Sequence, residues 1–122
     1  MIIDDEPAVR KTLRTSLERA GYQVAEAGDG RTGLRHHAAT PADLIITDIF
    51  MADFDGIETI RALRRAAPRV KIIVVSGGDS TGTLNMLEDA KLLGADRAFH
   101  KPLKSEELLG AVREMLSENP EE

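Results

Sequence analysis

The sequence has no cysteine and no tryptophan, and only 3% of its 122 residues are aromatic. The lack of cysteine excludes disulfide bonds and thiolate metal sites, and it fits a reducing cytoplasm. The low aromatic content disfavours a base-stacking platform for nucleic acid. No run approaches the roughly 18 to 20 apolar residues of a membrane span. We therefore expect no membrane insertion and a cytoplasmic location.

Basic residues are outnumbered by acidic ones, 16 to 21, which gives a net charge of −5. Non-specific nucleic-acid binding needs basic surface that releases counterions, so we expect no direct contact with nucleic acid. The densest basic group, Arg61, Arg64 and Arg65, is interpreted as the solvated face of a helix. The chain length fits one domain over residues 1–122 with a single core, and the acidic end at Glu122 favours a stand-alone domain.

Apolar periodicity alternates between strands and helices along the chain. The predicted strands are Ile2–Ile3, Tyr22–Glu26, Leu44–Asp48, Val70–Val75 and Arg97–His100. Turn and capping residues mark the ends of the predicted helices, namely Pro7, Gly21, Asp29, Gly30, Asp55, Glu58, Pro68, Gly94 and Ser105. Five strands alternating with five helices predict an α/β fold, a doubly wound parallel sheet with strand order 2-1-3-4-5.

The stretch "LIITDIF" raises a question, because the most hydrophobic strand ends on an ionisable acid, Asp48. In sheets of this order, ligands bind beyond the carboxyl ends of the strands. The ends of predicted strands one, three, four and five carry residues that converge on one edge: Asp4, Asp5, Asp48, Ser76, Gly77 and Lys101.

Three carboxylates close together repel one another unless a cation lies between them. Oxygen ligands without histidine or cysteine indicate a hard divalent ion, most plausibly Mg²⁺. A lysine and a hydroxyl beside the metal suit an anion, and this combination is what phosphoryl transfer requires. Asp48 is then a nucleophile that takes a phosphoryl group. The structural alternative is that acids at strand ends serve as helix caps, as Asp5 could for Pro7.

Four motifs resemble the receiver domain of two-component response regulators, over essentially the whole chain. They are "IIDDEP" (2–7), "DLIITDIFMADFDGIE" (43–58), "IIVVSGG" (72–78) and "GADRAFHKPL" (94–103). The resemblance implies a flavodoxin-like (βα)5 fold and a signalling role. Such a domain is not an enzyme in the usual sense, because it catalyses only its own phosphorylation and dephosphorylation.

By this resemblance, Asp48 is the phospho-acceptor and shares a Mg²⁺ ion with the residues around it. Asp5 would bind the metal directly, Asp4 through water, and Phe50 through its backbone carbonyl. The phosphoryl donor would be a phosphohistidine on a sensor histidine kinase or a histidine phosphotransfer protein.

Ser76 and Lys101 complete the catalytic set with Asp48, and they would hold the phosphoryl oxygens with help from the Gly77 amide. In the resembled family, the hydroxyl at Ser76 works with an aromatic switch residue on strand five. Ala98 stands at that switch position, so we expect the 77–83 loop to reorder instead. The output would be a downstream protein or self-association, through the face formed by the predicted helix near 84–93, strand five and the last helix.

Two other functions compete with this one. A Mg²⁺-dependent phosphatase with an aspartyl nucleophile usually has a second acid two residues later, where this chain has Phe50. A pseudo-receiver would serve only as a protein-interaction module. The adjacent His36 and His37 make a poor metal pair and are interpreted as surface residues, and His100 is expected in an exposed loop.

Overall fold

The computed structural model describes residues 1–48, 56–76, 94–100 and 104–117. These residues form five strands and four helices. The strands are β1 (Ile2–Ile3), β2 (Glu26–Ala27), β3 (Leu44–Asp48), β4 (Lys71–Ser76) and β5 (Arg97–His100). The helices are α1 (Pro7–Arg19), α2 (Gly30–Ala39), α3 (Gly56–Ala66) and α4 (Ser105–Ser117). The helix predicted near residues 84–93 lies outside the described residues.

All five strands belong to one parallel sheet with the order β2-β1-β3-β4-β5, as the sequence predicts. The pairing of β3 with β4 covers all five residues of β3. The pairing of β3 with β1 covers only two, with Ile2 beside Ile46 and Ile3 beside Thr47. The central pair, β3 and β4, is therefore the longest paired part of the sheet.

Alternate strand residues point to opposite faces of the sheet and form two cores. The first core cluster includes Ile3, Ile45, Ile72, Ile60 and Leu63, and α3 covers it. The second core cluster includes Ile2, Ile46, Ile73, Leu17 and Leu108, and α1 and α4 cover it. Burying each large aliphatic side chain contributes about 1.5–3 kcal/mol, so helices on both faces are the main support of the sheet.

The second strand is shorter than predicted. The sequence pattern predicts Tyr22–Glu26, whereas only Glu26–Ala27 is a strand. β2 lies at the edge and can pair only with β1, and the register places Glu26 beside Ile2. Tyr22 and Val24 instead pack as partly buried side chains against the second core cluster.

The predicted helix starts at Pro7 and Asp29 are confirmed. Ser105 was predicted to cap the last helix but is its first residue. Pro7 is the first residue of α1, and the Asp29 carboxylate accepts a 2.8 Å hydrogen bond from the Thr32 amide at the start of α2. This bond lowers the pKa of Asp29. Ser105 lies inside α4 as its first residue, and its hydroxyl is 3.0 Å from the Ser16 hydroxyl.

Arg64 is not part of a solvated face, although Arg61 and Arg65 are exposed as predicted. Its guanidinium donates to the carbonyls of Gly94 (2.7 and 2.9 Å) and Val70 (2.6 Å). It donates to the Pro68 carbonyl as well. Arg64 therefore joins the end of α3 to the segments that precede β4 and β5.

His37 is also not a surface residue. It is 7% exposed, and its Nδ1 accepts a 3.0 Å hydrogen bond from the Ala42 amide. Burial lowers the pKa of His37, and the positive charges of the Met1 ammonium and His36 lower it further. The neighbouring His36 is exposed, in agreement with the sequence prediction.

None of the helices in the described ranges combines the length and the apolar character needed to cross a membrane.

Replacing Gly94 should destabilise the fold more than replacing Gly21. Both glycines have positive φ, +129° and +99°. A Cβ at Gly94 would lie 2.6 Å from Cγ of Arg64, whose guanidinium is held by carbonyls, whereas a Cβ at Gly21 would meet nothing within 4 Å. We expect a loss of about 1 kcal/mol for Gly21→Ala from backbone strain. Gly94→Ala should lose about 1–3 kcal/mol more from the overlap. Urea unfolding measures both, and equal losses would contradict the close approach of Arg64.

Lowering the pH should destabilise the protein through His37. Because its folded pKa is lowered, its contribution to stability is present above the unfolded value and is lost as the pH falls below that value. The free energy of unfolding should drop between about pH 7.5 and about pH 5.5, where imidazole titrates. His37→Gln should reduce this drop strongly, whereas the matched variant His36→Gln should reduce it only slightly, because His36 is the smallest of the causes that lower the pKa of His37. Equal drops in all three proteins would exclude His37 as the source.

Candidate functional site

Two buried aspartates lie at the carboxyl ends of adjacent parallel strands, Asp4 directly after β1 and Asp48 at the end of β3. The register pairs Ile3 of β1 with Thr47 of β3, so the next residues, Asp4 and Asp48, are also neighbours. Neighbouring strands lie about 4.8 Å apart. Both aspartates are buried, with exposures of 3% and 6%. Two acids in this arrangement are unusual for a hydrophobic sheet and mark the edge predicted from the sequence.

Three hydrogen bonds fix Asp4, through its amide, its carbonyl and its carboxylate. Its amide donates to the Ala27 carbonyl at 3.1 Å, and its carbonyl accepts from Nη1 of Arg10 at 2.6 Å. Its Oδ1 atom accepts from the Glu6 amide at 2.9 Å. Backbone and side chain are thus both fixed, although β1 itself has only two residues.

Asp48 is held by the strand that carries it. It is the last residue of β3, in register with Val75 of β4. Its carbonyl accepts a 3.1 Å hydrogen bond from the hydroxyl of Thr47, which is fully buried. The apolar residues of β3 therefore form a rigid support that places the acid at the sheet edge.

A group of carboxylates surrounds the end of β1. One oxygen from each of Asp4, Asp5 and Glu6 lies within 4.8 Å of the others. The sequence prediction named Asp48 as the third acid, but Asp48 is not a member of this group among the described residues. Glu6, which follows the two aspartates in "DDE", belongs to the group and was not among the residues predicted from the sequence; the predicted ligand set with Asp48 stays a prediction.

This donor set fits a hard divalent cation. Every candidate ligand atom is a carboxylate oxygen, the type that Mg²⁺ and Ca²⁺ prefer. Two of the three side chains, Asp5 and Glu6, are exposed, so an ion could reach the group from solvent. A cation there would offset the mutual repulsion of the acids.

A network of ion pairs lies beside the acidic group. Arg10 Nε donates to Glu26 Oε1 at 3.1 Å, and Arg14 Nη1 donates to Glu26 Oε2 at 2.8 Å. Arg14 also pairs with Glu18 at 3.1 Å. The hydrogen bonds from Arg14 and Arg10 lower the pKa of Glu26. Arg10 is therefore shared between Glu26 on β2 and the carbonyl of Asp4.

The remaining predicted site residues are described only in part. Ser76 is the last residue of β4, paired with His100 of β5, so His100 lies in a strand rather than in a loop. Phe50, Gly77 and Lys101 lie outside the described residues.

Ala98, at the predicted switch position, and the neighbouring Phe99 pack on opposite faces of the sheet. Ala98 is partly buried against the first core cluster, and Phe99 packs against the second. The aromatic ring of this strand therefore belongs to the opposite face from the switch position.

Comparison with known proteins gives consistent results. The family model described as "Response regulator receiver domain" matches residues 1–113. Response regulator MprA of Mycolicibacterium vanbaalenii is 38% identical over 116 residues, which are 95% of this chain and 49% of that protein. The chain thus spans about half the length of the curated relatives it matches.

Solved structures agree with the strand order. Chemotaxis protein CheY4 of Vibrio cholerae aligns with a TM-score of 0.83 and 28% identity, covering 93% of this chain and 94% of that one. The receiver domain of NtrX from Brucella abortus aligns with a TM-score of 0.89, covering 97% of this chain and 98% of that one. At 22% identity, the second likeness shows the fold alone.

Mg²⁺ should stabilise the protein. A ligand that binds only the folded state adds about 2.7 kcal/mol at one hundred times its Kd. Asp5→Asn should raise the melting temperature without metal, because it relieves repulsion, and should shrink the increase caused by Mg²⁺. Glu18→Gln removes an equal charge outside the acidic group and should keep the full increase. Identical melting temperatures with and without saturating Mg²⁺ would contradict a working cation site.

Proposed function

We propose that this chain, which belongs to the response regulator receiver domain family, accepts a phosphoryl group on Asp48 in a Mg²⁺-dependent reaction. One observation carries the proposal: Asp48 ends β3, Asp4 directly follows the adjacent parallel strand β1, and both aspartates are buried. A buried acid at the end of an apolar strand has a fixed position and limited contact with water. Both properties suit a nucleophile whose acyl phosphate must survive long enough to signal.

In the proposed reaction, a carboxylate oxygen of Asp48 forms a bond to phosphorus while the phosphorus–nitrogen bond of a phosphohistidine breaks. The imidazole leaves with the electron pair of that bond and takes up a proton. Bound Mg²⁺ would supply neutralisation of the phosphoryl charge. Asp4, Asp5 and the Phe50 carbonyl are its proposed ligands together with Asp48, and Glu6 lies close enough to assist.

The phosphoryl oxygens need positive or hydrogen-bonding partners on the other side of Asp48. Ser76 closes β4, next to β3, and Lys101 follows directly after β5. We assign these two residues and the Gly77 amide to that role. The proposal for Gly77 and Lys101 rests on their place in the sequence, since both lie outside the described residues.

The partners follow from the family. A two-component response regulator receives its phosphoryl group from a sensor histidine kinase or a histidine phosphotransfer protein, and we propose such a donor in the cytoplasm. Phosphorylation would be the chain's own reaction rather than turnover of a separate substrate. The output would be a downstream protein or a second copy, bound at the face that includes β5 and α4.

Phosphorylation should alter the interaction face without the rotation of an aromatic side chain on β5. Ala98 has no side-chain rotamer to change, so the response needs another element with two states. We propose the 77–83 segment, which is attached to Ser76. The 77–83 segment lies outside the described residues, so its role is proposed from the sequence.

Phosphorylation of Asp48 can be measured by intact mass after incubation with Mg²⁺ and a small phosphodonor. We expect the addition of one phosphoryl group, dependent on Mg²⁺ and abolished in Asp48→Asn. Asp43→Asn is a matched control, because it changes an aspartate just before the opposite end of β3. No addition to the wild-type chain would favour the pseudo-receiver, and an unchanged addition in Asp48→Asn would move the acceptor elsewhere.

A further inference from the structure

Arg10 contacts the acidic site through the backbone of Asp4. Its Nη1 donates to the Asp4 carbonyl at 2.6 Å while its Nε donates to Glu26 at 3.1 Å. The side chain is 19% exposed, against 42% for Arg14 on the same helix. The guanidinium thus joins α1, the end of β1 and the edge strand β2 in one contact.

Arg10 holds the carbonyl at the end of β1, whereas other contacts hold the amide and the carboxylate of Asp4. The strand has two residues, and the chain then turns so that α1 begins at Pro7. Asp4 lies in this turn, with its amide bonded to Ala27. Rotation of the following peptide would swing the Asp5 carboxylate. The bond from Arg10 to the Asp4 carbonyl restrains that rotation.

A cation close to a metal site also has an opposing effect, because it repels the metal. Glu26 offsets this effect, since it forms an ion pair with the same guanidinium. Arg10 therefore keeps its hydrogen bond to Asp4 while much of its charge is balanced. Of the two effects, orientation should dominate.

We infer that Arg10 is a positioning residue that sets the affinity of the site for Mg²⁺ by fixing the peptide between Asp4 and Asp5. The inference rests on the proposed function, since it assumes that these acids bind Mg²⁺. Groups that orient metal ligands typically change metal affinity by 10- to 100-fold when they are removed. No contact between Arg10 and the metal is required.

Titration calorimetry of the full chain with magnesium chloride tests the inference. Arg10→Met removes the charge and the donors but keeps a long side chain, and it should raise the Kd for Mg²⁺ about 10-fold. Arg14→Met is the matched control, because it removes an equal charge that also pairs with Glu26. The Arg14 guanidinium donates to Glu18 and Glu26 rather than to the Asp4 carbonyl. Arg14→Met should change the Kd by less than about threefold, the usual effect of an exposed charge.

Whether the Kd for Mg²⁺ rises or falls in Arg10→Met distinguishes an orienting role of Arg10 from electrostatic repulsion of the metal. If repulsion governed binding, Arg10→Met would bind Mg²⁺ more tightly than wild type, and that result would overturn the inference. Arg10→Lys keeps the charge but cannot reach both acceptors with a rigid fork, so it should also bind more weakly than wild type. Wild-type affinity in both Arg10 variants would likewise overturn it.

A second measurement distinguishes weaker Mg²⁺ binding from unfolding of the variant. The Mg²⁺ concentration for half-maximal phosphorylation by a small donor should rise in Arg10→Lys, with an unchanged rate at saturating Mg²⁺. A general loss of structure would lower the saturating rate instead and would count against the inference. If wild type binds no Mg²⁺, the proposed function fails and the inference fails with it; if wild type binds and the variants match it, only the inference fails.

Discussion

Parallel pairing of β1 between β2 and β3 is the constraint on which the site depends. Parallel strands bring their carboxyl ends to one edge, and the register decides which residues meet there. With Ile3 beside Thr47, the residues that follow are Asp4 and Asp48. A shift of one residue in either strand would move the aspartate of that strand to the opposite face, away from its partner. The apolar side chains of these strands therefore determine the position of the acids, because they fix the register.

The buried position of the carboxylates at this edge destabilises their charged form. Burying a carboxylate is unfavourable unless it has hydrogen bonds or a counter-charge. Within the described residues, no buried side-chain oxygen or nitrogen lacks a hydrogen-bond partner. The Glu6 amide supplies one such partner to Asp4. The crowding of Asp4, Asp5 and Glu6 nevertheless leaves a repulsion that a bound cation would relieve, so stability and ligand binding are linked at the same place.

The described strands and helices were predictable because they follow from apolar periodicity, which is a local signal. The strand order was predictable because strands that alternate with helices are typical of a doubly wound parallel sheet. The limits of β2 were not, since an edge strand extends only where its neighbour can pair with it. The roles of His37 and Arg64 were also missed. Each depends on backbone groups that the chain brings close only after folding: the Ala42 amide for His37, and the Gly94 and Val70 carbonyls for Arg64.

The neighbourhood of Asp4 and Asp48 was predictable, because strand order places the ends of β1 and β3 side by side. The close grouping of Glu6 with Asp4 and Asp5 was not predictable, because it depends on side-chain rotamers that strand order does not specify. The metal ligands themselves stay a prediction.

Arg64 shows why charge alone is a poor guide to surface residues. A guanidinium has five donors in a rigid fork and can satisfy several carbonyls at once. Arg64 does so at the start of β5, where it also pairs with Asp96 at 2.8 Å. The carboxylate of Asp96 in turn accepts from the Ile72 amide at 2.8 Å, which fixes the register of β5 against β4. Four strand residues then span about 13 Å. The contacts of Arg64 and Asp96 at the start of β5 therefore fix the position of the whole strand against β4.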